Sequence, residues 1–590
     1  MPDSERTFTP EQLRLIDGTG SQYVLACPGA GKTQAIAERY VRRPNHHPRK
    51  GMALLSFTNA AADEAAVRCS SKPDLLLCPN FVGTIDKFIN RFIVSPVWTS
   101  QKEMAPRFID VWSQLPHTSV KSKDFWASLD WFTFDRSGAA QLSRHSIPSE
   151  HRTKFDKLPV WQVRSFEQQA ETIRRNYISK GYLSAEASRK IALDYIDDSE
   201  LRKSLTKILI HRFFEVVVDE VQDCSDEDVQ ILELIENSGI HLVLVGDPDQ
   251  AIYEFRGRSE NAARRLELLA PLGERLNGNF RSTPAICSAA NSLRASNETD
   301  ISVGRNRDIN TPILLLKYDK PPAVAAAKTK VAEAYGIVNE DCIVLAHGRR
   351  QAASCAGGSA AELVSEARLA RIAIAVEALQ STSNEGSKRR DALKNLTVCL
   401  HEASHDAYNQ LATHEFYDAI GLSEREYLAK VLRLAHAVNF DRALAPSEFK
   451  ACLVSSLQEH DFHWVRAGAI QKPKLDKWSN LPSAKQPIFE FSTIHNYKGL
   501  QRKFVTVIVP DNKDKWQPHE TGVGQWLAGL EGEARRVLYV GATRAEELLM
   551  LAVHDSEYDG VYQRLITDEV PFDVVDPTTG RGLGASNQLF

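Results

Sequence analysis

The feature that most restricts this chain is a repeated pattern of short apolar strands ending on acidic residues. Glu215 to Val218 is a Val-rich run of the kind found in parallel strands buried on both faces, and it ends on Asp219-Glu220. His241 to Val245 repeats the arrangement and ends on Gly246-Asp247, with Gln250 just beyond. Open α/β sheets collect ligands at the carboxyl ends of their strands, so these polar groups are expected along one edge. A single acidic pair after a strand is ordinarily a solvated turn. Two such strand ends acquire chemical meaning when a phosphate loop lies upstream, and one does.

Tyr23 to Cys27 reads as a strand, and Pro28-Gly29-Ala30-Gly31-Lys32-Thr33 then opens a helix that continues through Gln34. Gly29 and Gly31 let the backbone curl so that its N–H groups face a phosphate at the helix N-terminus. Lys32 is expected to reach the β- and γ-phosphates, and the Thr33 hydroxyl to ligate Mg²⁺. The strict loop pattern has Gly where this chain has Ala26. Together with Asp219-Glu220, the loop implies a site that hydrolyses a nucleoside triphosphate. Upstream, Thr9-Pro10-Glu11-Gln12 has the form of a helix capping box, while Gln12 can also read an adenine edge; the two readings are compatible.

The segments SFTNAAADEAA, GTIDKF, VVVDEVQD, LVGDPDQAIYEFRG, NFRS, STIHNYKGLQ and RRVLYVGATRA occur in that order. This series resembles the ordered motifs of superfamily 1 helicases of the UvrD/Rep/PcrA type. The resemblance covers most of residues 8–95, 214–285 and 490–550, and the intervening sequence does not match. It implies an α/β fold with two RecA-like P-loop domains, each with a parallel sheet and a mainly helical insertion. The first motor domain would comprise 1–95 and 205–285, with its insertion at 96–204. The second would comprise 286–356 and 470–590, with a reduced insertion at 357–469.

The same resemblance implies roles. ATP and Mg²⁺ would be the cofactors, with Asp219 holding the metal, Glu220 deprotonating water and Gln250 sensing the γ-phosphate. Arg281 and Arg544 would be arginine fingers, and Phe280 would stack on adenine where the family usually has Tyr. Phe57, Tyr253 and Phe255 match positions that stack bases, and Thr84, Thr493 and His495 match positions near the DNA backbone. Gln501 stands where the family commonly has a ribose-contacting Glu. No aromatic strand-separating pin is evident after Arg544. The Trp residues at 98, 112, 126, 131 and 161 are core residues by default, although aromatics beside Lys and Arg can also stack bases.

The bulk numbers narrow the class. A net charge of −4 means that any nucleic-acid surface is a local patch. The nine cysteines are scattered with no CxxC, which argues for a reducing compartment and against structural zinc or an iron–sulfur cluster. The polar, acidic N-terminus is unlike a signal peptide, and no apolar run approaches membrane-spanning length, so a cytoplasmic protein with no membrane partner is expected. What the resemblance implies overall is a single-stranded-DNA-stimulated ATPase translocating 3′ to 5′ on single-stranded or tailed DNA. A second reading is an ATP-dependent DNA-sensing subunit bound to a nuclease. The ACPGAGKT loop and short second insertion are similar to the compact UvrD-like subunit of Gabija-type antiphage systems.

Overall fold

The computed structural model describes residues 8–43, 49–57, 59–69, 73–115, 117–122, 125–144, 146–147, 149–252, 260–296, 298–358, 367–381, 386–405, 407–408, 413–441, 443–473, 478, 488–510 and 520–584. The chain divides into two compact units, one formed by Met1–Glu103, Ser188–Gly358 and Pro487–Phe590, the other by Met104–Ala187 and Ser359–Gln486.

Among the described residues the first unit contains two large, mainly parallel sheets and a small parallel pair, Gly278–Asn279 with Ile301–Ser302. The first sheet uses β1 (Gln22–Leu25), β2 (Gly51–Ser56), β3 (Phe81–Thr84), β4 (Phe213–Val218) and β5 (His241–Gly246), in the order β1-β5-β4-β2-β3. Every pairing is parallel, with Val218 level with Leu244 on one side and Leu55 on the other. Val216 to Val218 and Leu242 to Val245 are all fully buried, as the apolar runs require of strands covered on both faces. The helix after the phosphate loop, Lys32–Arg42, is fastened beneath this sheet by Arg39. Its guanidinium forms a fork with Glu215 on β4, at 2.7 Å for both bonds, and also donates to the carbonyls of Leu15 and Gly18. Both partners of this ion pair are buried, so the helix and the strand carrying the acidic pair are set in one register.

The second sheet is built from β6 (Ile313–Tyr318), β7 (Cys342–Ala346), β8 (Glu490–Thr493), β9 (Arg502–Val509), β10 (Ala545–His554), β11 (Phe572–Val575) and β12 (Gly582–Gly584). Its order is β8-β7-β9-β10-β6-β11-β12, parallel except for the closing β11–β12 hairpin. Two apolar clusters cover its faces, one around Trp526 and Tyr539, the other around Val331, Phe504 and Met550. The apolar runs Ile313–Leu316, Cys342–Ala346 and Phe504–Val509 lie within β6, β7 and β9.

Between 104 and 187 the chain makes three two-stranded sheets: Arg107–Ile109 with Tyr182–Ser184, Ser119–Lys121 with Trp126–Ser128, and Phe132–Phe134 with Ala140–Leu142. The long helix Val160–Ser179 follows the last hairpin. Trp112 is buried, whereas Trp126 and Trp161 are exposed, so core packing accounts for only some of these aromatics. The described residues between 367 and 478 form a helical bundle around Leu396, Tyr427, Phe449 and Trp464. The Ser423–Glu426 capping box starts the helix Glu424–Ala437 as its sequence predicts. Among the described residues no helix is long and apolar enough to cross a membrane.

Candidate active site

The phosphate loop leaves β1 through Gly29 and Gly31, both in the left-handed region at φ 76° and 70°. A Cβ on Gly29 would meet Asn279 Oδ1 at 2.5 Å and Arg281 Cβ at 2.8 Å, so the absence of a side chain lets the NFRS segment pack against the loop. The Phe280 N–H closes that contact by donating to the Gly29 carbonyl at 2.9 Å. Gln12 takes part in the predicted capping box: Thr9 N donates to its Oε1 and Thr9 Oγ1 accepts from its N–H. Its Nε2 donates to the Ala30 carbonyl at 2.9 Å, which braces the loop from below.

The acidic turns meet this loop. Lys32 Nζ lies 3.4 Å from Glu220 Oε1, and Thr33 Oγ1 donates to Asp219 Oδ2 at 3.2 Å. Glu220 has φ 56°, an unusual conformation for a residue with a side chain. Strain of this kind clusters at functional sites. It survives here because the surrounding bonds over-determine the turn: the Glu220 N–H donates to Asp219 Oδ1, and Gln222 Nε2 donates to Glu220 Oε2. Gln222 Oε1 also accepts from the Asp247 N–H at 3.0 Å, so one buried amide joins both acidic turns. Gln250 Nε2 donates to Asp247 Oδ2 at 2.9 Å.

The second lobe supplies the opposite wall. Arg544, buried at the end of helix Glu533–Ala542, donates to Gln250 Oε1 at 3.1 Å and to Val540 O at 2.9 Å. Arg281 Nη1 donates to Thr543 O at 2.9 Å. The cleft holds about 540 Å³ and is lined by Pro28 to Gln34, Asp219, Glu220, Gln250, Phe280, Arg281, Gln501 and Arg544. Phe280 is half-exposed at its mouth.

The electrostatics of the cleft favour a polyanion with a cation. Burial and the neighbouring Glu220 charge push Asp219 up to about 7. Burial works the other way from charge at Glu220, but Lys32 and Lys498 prevail and hold it below the usual carboxylate range. Lys32 stays protonated against burial because of Glu220, Asp247 and Asp219. Burial, then the nearby Arg281 charge, brings Arg544 down to about 9. Two guanidinium groups that oppose each other are relieved by phosphate, and a buried carboxylate beside a hydroxyl is the donor set of a hard divalent ion. Thr33 and Asp219 therefore fit Mg²⁺.

Residues 8–264 match the family model described as the UvrD/REP helicase N-terminal domain, and residues 368–556 match the UvrD-like helicase C-terminal domain. This chain belongs to the UvrD-like helicases of superfamily 1. It is 27% identical over 293 residues to the ATP-dependent DNA helicase Rep of Buchnera aphidicola (subsp. Acyrthosiphon pisum), covering 47% of this chain and 43% of that one. It is 26% identical over 303 residues to the ATP-dependent DNA helicase PcrA of Leuconostoc citreum, covering 48% and 38%. It is 24% identical over 356 residues to the putative ATP-dependent DNA helicase YjcD of Bacillus subtilis, covering 57% and 45%. The chain thus spans less than half the length of these curated relatives.

Within this UvrD-like chain the residues expected at DNA are dispersed. Phe57, at the end of β2, lines the nucleotide cleft. Thr84 is buried, and its hydroxyl caps the helix Ile85–Phe88 by accepting from Lys87 N at 3.3 Å. Thr493 Oγ1 accepts from Asn496 N at 3.2 Å. The His495 ring lies 5.4 Å from that of His347, and burial together with His347 lowers its pKa. Tyr253 and Phe255 lie outside the described residues. Gln34 accepts from Arg68, another residue of the cleft wall.

Several groups at this site were not singled out by sequence. Lys498 Nζ donates to both oxygens of Asp223, at 2.8 and 2.7 Å, and to the Gln250 carbonyl at 3.0 Å, crossing the cleft. Lys498, Asp223 and Gln222 all sit inside recognisable motifs, which is the signal that could have found them. Arg305 pairs with Glu546 at 2.8 Å on the cleft wall.

Proposed function

We propose that this protein is an ATP-dependent DNA translocase and helicase of the UvrD type, stimulated by single-stranded DNA and moving 3′ to 5′. The observation that carries this reading is the cleft in which the phosphate loop, Asp219, Glu220 and Gln250 meet Arg281 on their own lobe and Arg544 on the other. The reading assigns 1–95 with 205–285 and 286–356 with 470–590 as the two motors, and 96–204 and 357–469 as their insertions.

In this mechanism the backbone of Pro28 to Gly31 and the Lys32 ammonium cradle the phosphates, and Phe280 offers a face to the base. Thr33 and Asp219 would hold Mg²⁺, which when bound offsets charge on the β- and γ-phosphate oxygens. Glu220, kept ionised, accepts the proton of the attacking water. Gln250 orients toward the γ-phosphate, and Arg281 and Arg544 stabilise the charge that develops in transfer. ATP draws the lobes together and hydrolysis releases them, a hinge-type cycle. Phe57, Tyr253 and Phe255 would stack on bases, with Thr84, Thr493 and His495 near the DNA backbone. If contacts with the strand alternate with closure, the protein advances.

The test is ATP turnover with and without single-stranded DNA, alongside displacement from 3′- and 5′-tailed duplexes. The reading requires DNA-stimulated turnover and preference for the 3′ tail. Turnover indifferent to DNA, or preference for the 5′ tail, refutes it.

A further inference from the structure

Behind Gln250 runs a chain of buried polar groups for which hydrolysis, as described above, has no use. The Tyr539 hydroxyl donates at 3.2 Å to Asp247 Oδ2, the oxygen that accepts from the Gln250 amide. Arg294 Nη2 in turn donates to the Tyr539 hydroxyl, and its guanidinium lies 5.1 Å from the centre of that ring. The rest of the Arg294 fork is taken by Asp300, with both bonds at 2.8 Å, and its Nε lies 3.0 Å from Asp249. Arg294 also stands 3.9 Å from Asp247 Oδ2. Asp300 is held from the other side by Arg275 at 2.7 Å.

These groups lie out of water. Tyr539 is 0% exposed, Arg294 3%, Asp247 4% and Asp300 5%. Burial, with Asp247 beside it, pushes the Tyr539 hydroxyl well above its ordinary pKa, so it remains a donor. Burying one guanidinium among carboxylates is a poor way to stabilise a fold, because apolar side chains of similar volume do as well or better. What such a network does provide is restriction, since the hydrogen bonds and ion pairs among Asp247, Tyr539, Arg294 and Asp300 tie each side chain to its neighbours.

The geometry defined here joins the two lobes. Asp247, Asp249 and Gln250 follow β5 of the first sheet, whereas Arg294 follows the helix Pro284–Leu293 and Tyr539 lies on Glu533–Ala542, both packed in the second lobe. Gln250 is gripped at both ends of its amide, Nε2 by Asp247 and Oε1 by Arg544. Its orientation therefore depends on where Asp247 stands, and Tyr539 and Arg294 fix that position.

We propose that Arg294 and Tyr539 are positioning residues for ATP turnover: through Asp247 they hold the Gln250 amide in the orientation that presents its oxygen to Arg544. This rests on the ATPase reading of the cleft. Neither residue lines the cleft. They act by restricting a side chain that does, and they make that restriction depend on how the two lobes meet.

The deciding variant is Tyr539→Phe, which removes one hydroxyl and keeps the ring, so packing around Arg294 survives. Its kcat for ATP should fall about tenfold, the worth of one hydrogen bond, with KM and the affinity for a fluorescent ATP analogue unchanged. In a Gln250→Ala background the same change should cost nothing further, because the residue it acts through is gone. Arg294→Lys keeps the charge but loses the fork, and should show the same split between kcat and KM. Equal losses from Tyr539→Phe with and without Gln250, or wild-type turnover in Tyr539→Phe, overturn the inference while leaving the ATPase reading intact. A wild-type protein without ATP turnover overturns both.

Discussion

Arg544 Nη2 donates to Gln250 Oε1 at 3.1 Å, so the arginine at the centre of the second lobe and the glutamine of the first lobe already share a bond across the cleft. A triphosphate entering the cleft would compete for both ends of that bond. Arg544→Ala should cut turnover by about a thousandfold or more while nucleotide affinity falls far less, since a finger's charge counts most in the transition state. Equilibrium nucleotide binding beside single-turnover hydrolysis checks this. Equal losses in both would make Arg544 a ground-state ligand.

Lys32→Ala and Glu220→Gln should each abolish steady-state turnover, with a loss of about a hundredfold or more for Glu220→Gln, because Glu220 is the ionised carboxylate nearest the phosphate loop lysine. The glutamine variant keeps the shape of the turn and should still bind ATP and Mg²⁺. Turnover close to wild type in Glu220→Gln would remove it as the base.

The Lys498–Asp223 pair is buried on both sides and spans the cleft. Removing one partner leaves a charge stranded, a change that typically costs about 3–5 kcal/mol. Lys498→Met should therefore lower the unfolding midpoint, and adding Asp223→Leu should recover much of the loss. Denaturant unfolding of the single and double variants measures the coupling. Additive losses would mean that the pair does not act as a unit.

Lys328 gives a pH signature independent of catalysis. Its amine is wholly buried, donates to Ile343 O and Thr506 Oγ1, and lies 3.7 Å above the centre of the Phe504 ring. Burial brings it down to about 7 from 10.5. Because the folded state gives up this proton more readily than the unfolded one, the cost of burying the charge is full below pH 7. It fades as pH rises toward 10.5, so this group makes stability climb across that window. Lys328→Met should flatten the climb. Unfolding midpoints of both proteins at pH 7 and pH 9.5 test it, and parallel curves would mean that Lys328 keeps its ordinary affinity for protons.

Unwinding should be weaker than translocation. After Arg544 the described residues form β10, the helix Asp555–Thr567 and the β11–β12 hairpin. In the turn of that hairpin, a Cβ on Gly580 would meet the Lys330 backbone carbon at 2.2 Å, so the turn is pressed onto the helix Pro321–Tyr335. Separating DNA must overcome stacking of about 1.4 kcal/mol per step. The isolated protein should thus hydrolyse ATP freely on single strands but slow sharply as the leading pairs become GC-rich. Rapid processive unwinding of long GC-rich duplex would contradict this.

The nucleotide-facing half of the site was legible because its chemistry is local. Pro28 to Thr33 must form a loop before a helix, and Asp219-Glu220 must sit at a strand end, whatever the rest of the chain does. Lys498 and Tyr539 lie inside STIHNYKGLQ and RRVLYVGATRA, but their partners, like Arg294 itself, were not legible, since those contacts join segments far apart in sequence. Lys328 was hidden differently: in the alanine-rich helix Pro321–Tyr335 it looks like one more solvated lysine, and only the packing against β7 and β9 reveals that it points inward. The hairpins between 119 and 142 have strands of three residues, too short for alternation to announce them. Among the aromatics, Trp112 and Trp126 differ in burial although their sequence surroundings do not say which faces solvent.

Arg544 is followed without a spacer by Ala545, the first residue of β10, and its carbonyl accepts from the Arg502 N–H at the start of β9. The backbone of this arginine is therefore anchored at the middle strand of a seven-stranded sheet. Its guanidinium is held in turn by Val540 O, Thr543 Oγ1 and Gln250 Oε1. The side chain can turn only by giving up those bonds, whereas a shift of its backbone carries the sheet along with it.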